Sequence, residues 1–415
     1  MIGADVLNNI HARLQNITGN YDNPFGGMPI VFCGDLRQLP PVNARPVYKP
    51  SVNSMHGAVL WQSLDFYPLV KVMRQTNEQF STILTKIGNG ERLTSEETEL
   101  IEIRFRSAEW CKQNLPGAVR LFLRNADVER YNAESLVDRD TVDCGADDNY
   151  SGYRNDQQLA SARSTVHKMS VMETGGLPYL LRFAVGIPYM ITTKIDVEDG
   201  IVNGAIGELK YVEFYEDDPQ QPIVKIWIKF ENDSIGKVLR VKSRPAVYSK
   251  PGILQPDWTP VCKRSTSIKL SSSIKCKRVQ FPLVGASALT VHKSQGGTFP
   301  EIVYEYDKGQ EQQLVYVGLS RVTSIEGLFL TNANNVLKFH HAKGTASPRI
   351  QELRTELQRL GNHTLVTLGS EMLEFITTGS QSAVLMSLNV QSLNAHSKDL
   401  STDPVLTKAD NFALS

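Results

Sequence analysis

Apolar residues recur at helical spacing in the first fifteen positions, where Val6, Leu7, Ile10 and Leu14 share one face. The turn-forming sequence NPFGG follows, and then a short apolar run, Pro29–Cys33. A helix leading into a buried strand is the pattern of a parallel α/β sheet. The run FYPLVKVM (66–73) reads as a second strand; it leads through Arg74 and Gln75 into a helix, EQFSTILTKIGNG, that stops at glycine. Residues 94–114 read as one further helix, and 118–136 as a strand followed by a helix. From about 138 to 170 the chain turns polar. Between 184 and 240 the runs VGIPYMITTKI, GAIGELKYVEFY and IVKIWIKFE, broken by Gly, Asp and Pro, predict short strands of a small β-barrel set into a larger α/β body. Past residue 331, Pro348 opens a helix with Ile350, Leu353, Leu357 and Leu360 on one face and Gly361 as its stop. A Thr/Gly/Ser-rich stretch then leads to a final unit, AVLMSLNVQSLNAH…NFALS. No internal repeat is visible.

Composition sharpens this picture in three places. At 415 residues with 41% hydrophobic positions, the chain is long enough for two to four domains of ~100–200 residues each. Lys and Arg (44) balance Asp and Glu (44), which argues against a wholly basic nucleic-acid coat and leaves local patches open. One such patch lies between Arg240 and Gln280, where ten Lys/Arg face the single acid Asp257, while 126–148 is acid-rich. The five cysteines are odd in number and widely spaced, which reads as reduced thiols in an intracellular protein. No apolar run approaches the ~20 residues of a membrane span, so no membrane partner is expected.

Three stretches carry candidate chemistry. GDLRQLPPV (34–42) ends the first strand with Asp35, sets the neutral amide of Gln38 three residues on, and locks the backbone with Pro40 and Pro41. Such a turn points polar groups out of the carboxyl edge of a parallel sheet, where α/β folds keep their ligands. FPLVGASALTVHKSQGGTF (281–299) runs from an apolar strand into Thr290, His292, Lys293, Ser294 and Gln295 before paired glycines. LVYVGLSRVTS (314–324) sets Ser320 and Arg321 after an apolar element; a guanidinium there has the charge and fork to engage a phosphate. Taken singly, Gln38 could close a turn, Arg321 could pair with a surface acid, and His292 could be a satisfied core histidine.

Taken together, the blocks PFGGMPIVFCGDLRQLPPV, VMRQTNEQF, NGAIGEL, QFPLVGASALTVHKSQGGTF and LVYVGLSRVTS resemble the motifs of the petite-integration-frequency (PIF-type) DNA helicases, RecD-like members of superfamily one, subgroup B. The resemblance spans most of residues 1–332. It implies an α/β fold of two RecA-like P-loop NTPase lobes, the first incomplete, with an inserted small β-barrel. The implied division is 1–114 for a partial first lobe with a helical extension, 115–200 and 281–332 for the second lobe, 201–280 for the barrel, and 333–382 for a helix and linker. The implied activity is ATP-dependent, 5′-to-3′ unwinding of DNA, with ATP and Mg²⁺ as cofactors and single-stranded and duplex DNA as partners. Gln38 would sense the γ-phosphate, and Arg74 and Arg321 would act as arginine fingers. Gly34, Asp35, Gln38, Gln295 and Gly296 would face the nucleotide. Thr290, His292, Lys293 and Ser294, together with the basic residues Lys275, Lys277 and Arg278, would line the DNA path. A nuclear location is the family expectation.

The departures from the family pattern matter equally. A helicase of this class needs the phosphate loop GxxxxGK[ST] and an acidic strand end for Mg²⁺, and neither occurs in these 415 residues. In the family, Met1 would fall just after that acidic pair, so the sequence is expected to be a fragment. Residues 383–415 resemble the opening of an endonuclease/exonuclease/phosphatase domain, with Asn389 near the metal; a stray β-α-β remnant is the plainer alternative. A PIF-type helicase joined to such a nuclease is the layout of Helitron-class transposons. The competing functional class is a single-stranded DNA-binding remnant without catalysis.

Overall fold

The computed structural model describes residues 2–50, 59–66, 68, 72–218, 220–334, 336–340, 347–362, 385–388 and 411–414. Its chain divides into two compact units. The first comprises 1–105, 306–325 and 336–415, and the second 106–305 and 326–335.

In the first unit the opening helix, Ala4–Thr18, buries Leu7 and Ile10 against Phe25. The turn Pro24–Gly27 lies directly beneath it. A Cβ on Gly26 would sit 2.9 Å from the Leu14 carbonyl oxygen, and its φ of +68° is one that glycine alone adopts readily. The predicted strand is shorter than its apolar run and covers Ile30–Phe32. It pairs in parallel with Asn411–Leu414, which pairs in turn with Leu385–Leu388. The strand expected at 66–73 lies partly outside the described residues, as does Asn389.

Helix Glu78–Asn89 is capped by the Asn77 side chain and buries Phe80, Ile83, Leu84 and Ile87 before ending at Gly90, as its glycines predict. The single helix expected over 94–114 is two helices. Ser95–Glu102 begins at a reciprocal capping box of Thr94 and Glu97, and Ala108–Asn114 begins where Ser107 caps Trp110 N. Helix Pro348–Asn362 runs through Gly361 rather than stopping there. It is tied to the unit by the Trp61 indole donating to Glu356 (2.7 Å) and by a Lys49–Glu352 ion pair (2.6 Å).

The second unit contains a parallel four-stranded sheet in the order Ala288–Thr290, Val119–Phe122, Ile302–Glu305, Leu328–Thr331. Between its first two strands in sequence lies the β-rich insertion, which starts at Val142 rather than 201 and ends at Gly285. Five antiparallel strands, Leu283–Gly285, Pro188–Ile191, Ile206–Phe214, Ile223–Phe230 and Thr259–Val261, form its main sheet. A second sheet joins Arg264–Lys269, Lys275–Gln280 and Asp147–Ser151, and a third joins Val142–Gly145 to Leu180–Phe183. The polar stretch 138–170 therefore supplies two strands and helix Asp156–Lys168, which composition alone conceals. One apolar core, including Phe183, Ile191, Leu209, Ile228 and Phe281, closes the insertion. No helix among the described residues is long and apolar enough to cross a membrane.

Candidate functional site

The loop after Ile30–Phe32 folds back on its own aspartate. Asp35 accepts a hydrogen bond from Arg37 N at its carboxylate (3.0 Å) and one from Gln38 N at its carbonyl (3.1 Å), and buried Leu39 anchors the far side. The turn thus sets Gln38, half-buried, on a rigid support. Gly34 is exposed and faces open space. Helix Gln312–Leu319 holds this loop from within the same unit: the Tyr316 hydroxyl donates to Asp35 Oδ2 at 2.9 Å. Burial pushes the Tyr316 hydroxyl far above the usual phenol range, and the Asp35 carboxylate adds to that, so Tyr316 acts as a permanent donor.

The same helix ends in the turn that carries Arg321. Its guanidinium is 1% exposed and is aimed by two local bonds, Nε to the Val317 carbonyl (3.0 Å) and Nη2 to Ser320 Oγ (2.8 Å). Arg74 Nη1 donates to the Ser320 carbonyl at 3.1 Å. The neighbouring Gln75 amide donates to the Ser320 (3.2 Å) and Val322 (2.9 Å) carbonyls, bracketing Arg321 from both sides. Burial, and then the nearby Arg74, lower Arg321 to about 10, and burial lowers Arg74 too. Both groups remain cations at neutral pH. Two cations gathered where each is disfavoured form a seat that an anion would stabilise, and the forked donors suit phosphate oxygens.

The structure therefore brings the Gln38 loop, Arg74 and Arg321 together in one packed unit. Gln75 and Tyr316, which reasoning from sequence leaves without a role, position them. Both sit inside quoted motifs, but their partners lie more than 200 residues away, and that separation hides the role. Gly88 permits the close packing: a Cβ there would meet Arg37 Cδ at 2.8 Å and the Tyr316 ring at 3.1 Å. We expect Gly88→Val to displace Tyr316 and lower stability by about 1–3 kcal/mol, as overpacking does. Thermal melting of the variant checks this, and an unchanged midpoint would show that the contact has slack.

The remaining predicted residues belong to the other unit. His292 and Lys293 are exposed on the turn after Ala288–Thr290, and Gln295 and Gly296 follow, Gly296 with a φ of +88°. Thr290 and Ser294 correct the expectation of a DNA lining, because both are buried. Ser294 Oγ donates to the Val291 carbonyl (2.8 Å), and Thr290 Oγ1 accepts from Lys293 N (3.3 Å), so they shape the turn. Arg278 is a further correction. In strand Lys275–Gln280 the alternation points Lys275 and Lys277 outward and Arg278 inward, where it is 1% exposed and forms a two-pronged pair with Asp148 (2.8 and 2.7 Å).

Residues 1–98 match the family model described as PIF1-like helicase. The ATP-dependent DNA helicase PIF1 of Danio rerio is 28% identical over 331 residues, 79% of this chain and 44% of the relative. Over these residues the chain is similar to the PIF1-like helicases. It spans about half the length of the curated relatives it matches. Among solved structures, the Pif1 helicase from Candida albicans aligns with a TM-score of 0.59 at 20% identity, covering 86% of this chain and 74% of that one. The Bacteroides Pif1 helicase in complex with ADP-AlF3 and ssDNA aligns at 0.55 and 21%, covering 86% and 73%. The mixed α/β fold is shared with these Pif1 helicase structures.

Proposed function

We propose that this chain forms the γ-phosphate-reading and DNA-gripping part of an ATP-dependent DNA helicase. The observation that carries the reading is the convergence of Arg74 and Arg321 on the Ser320 turn, packed with the loop that presents Gln38. These residues fit the terminal phosphate of ATP: the buried Arg321 and half-buried Arg74 guanidinium groups supply positive charge, and Gln38 supplies a neutral amide. ATP, bound with Mg²⁺, would supply the transferable phosphoryl group. GxxxxGK[ST] does not occur in these 415 residues, so hydrolysis by them alone is expected only at background rate. The relatives' activity, ssDNA in one neighbouring complex, and the exposed Lys275, Lys277, His292 and Lys293 support a DNA partner. We read the chain further as transposon-derived, from the endonuclease-like sequence at 383–415 beside the helicase-like blocks, and as nuclear, from the family it resembles.

The test is binding of labelled oligothymidine across a salt series. Affinity should fall linearly with salt on logarithmic axes, with about 0.7 of slope per phosphate contact. Replacing Lys275, Lys277 and Lys293 by Ala should therefore reduce the slope by about 2. Salt-independent binding would overturn the DNA reading. Salt-dependent binding that ignores nucleotide, even with a phosphate-loop segment supplied, would mark a DNA-binding remnant.

A further inference from the structure

Between strands Ile223–Phe230 and Thr259–Val261 the chain leaves the five-stranded sheet and forms two short helices, Lys237–Lys242 and Arg244–Ser249. The inner side of this insert is fixed in several ways. Asp199, 4% exposed, accepts hydrogen bonds from Val238 N (2.7 Å) and Leu239 N (2.9 Å). Arg240 donates to the Ile235 and Asp233 carbonyls and to Thr259 Oγ1. Lys250 pairs with Glu213 and Asp217, and Val247 and Leu254 pack on the buried Trp227.

The outer side is different. Val238, Val241 and Ile253 are about half exposed, and Tyr248 is 76% exposed. Lys237, Lys242 and Arg244 are exposed too, and none forms an ion pair among the described residues. No acid occurs from Ser234 to Pro256, and the nearby Asp199 is buried and committed to Val238 N and Leu239 N. A rigid support thus presents cations and an aromatic ring that fold stability does not require.

We propose that this helical insert is a separate contact for single-stranded DNA, in which Lys237, Lys242 and Arg244 meet phosphates and Tyr248 stacks on a base. The proposal rests on the DNA reading above but uses residues that reading does not. Three exposed cations that form no ion pair among the described residues favour a polyanion, and an exposed ring offers a face that any base can cover. Because Asp199, Arg240 and Lys250 already order the backbone, little conformational entropy remains to be lost on binding.

The experiment uses the full chain, labelled oligothymidine and three variants: Tyr248→Ala, Tyr248→Phe, and the triple change of Lys237, Lys242 and Arg244 to Gln. Tyr248→Ala should weaken binding about tenfold, within the range for one stacked base, while Tyr248→Phe keeps the parent affinity. The triple change should lower the salt slope by about 2, as three lost phosphate contacts require. All four positions are exposed, so parent-like melting is expected and is measured alongside. If the parent binds and every variant matches it, the insert is not a contact, although the DNA reading stands. If the parent does not bind, both readings fail. If only binding to phosphatidylserine vesicles or to an acidic peptide drops in the variants, the surface serves another polyanion and the proposal is wrong.

Discussion

Arg321→Ala should lower ATP turnover by about 10³- to 10⁵-fold in a protein completed by the amino-terminal phosphate-loop segment of a relative, with far less effect on nucleotide affinity. The asymmetry follows from where the charge acts. Arg321 is buried and held by Val317 and Ser320, so its charge is fixed in place where negative charge would spread over the transferring phosphoryl group. Arg74 reaches the same turn through a bond from Nη1 to the Ser320 carbonyl and is the second candidate for that role. Turnover and nucleotide affinity are measured separately in the chimera. If Arg321→Ala keeps turnover within a few fold, the role passes to Arg74.

A comparably large effect is expected on stability in the second unit. Arg278→Met leaves the Asp148 carboxylate, 7% exposed at its side chain, without its partner. Breaking a buried pair from one side costs about 3–5 kcal/mol, which for a unit of this size lowers its melting midpoint by about 10 °C. Replacing both partners with Arg278→Met and Asp148→Leu should recover most of the loss, because no charge is then stranded. Lys277→Ala, one residue away and exposed, should shift the midpoint hardly at all. Calorimetry of the four proteins decides it: a single variant within about 2 °C of the parent would mean that the pair contributes little.

These contrasts show what the sequence could and could not reveal. Helical spacing places Leu7 and Ile10 on the buried face, and the blocks around Gln38 and Arg321, far apart in sequence, pack together. The alternation in KCKRVQ is visible as well, yet Arg278 reads as a surface cation because Asp148 lies 130 residues away. Strand Asp147–Ser151 escapes notice because it is short and polar, and it owes its place in the sheet to pairing with Lys275–Gln280. The break in the helix over 94–114 follows from Ser107, a cap whose signal is weak beside the apolar residues around it. Gln75 and Tyr316 act through carbonyl and carboxylate partners that only the folded chain brings near.

The division of the chain also bears on how the protein is made. The first unit is built from three separate stretches, 1–105, 306–325 and 336–415, with most of the second unit's residues translated between the first two. Arg74 must wait for a carbonyl 246 residues downstream, and Trp61 for a carboxylate 295 residues downstream. Such closures are slow, because the entropy of a long loop is lost before its contacts form. On the ribosome the early helices would emerge with their apolar faces uncovered and stay so until residues 306–325 are made. The packing of Arg74 and Gln75 on the Ser320 turn is thus completed late. A nascent chain halted before residue 306 would carry Gln38 and Arg74 without the helix that positions them.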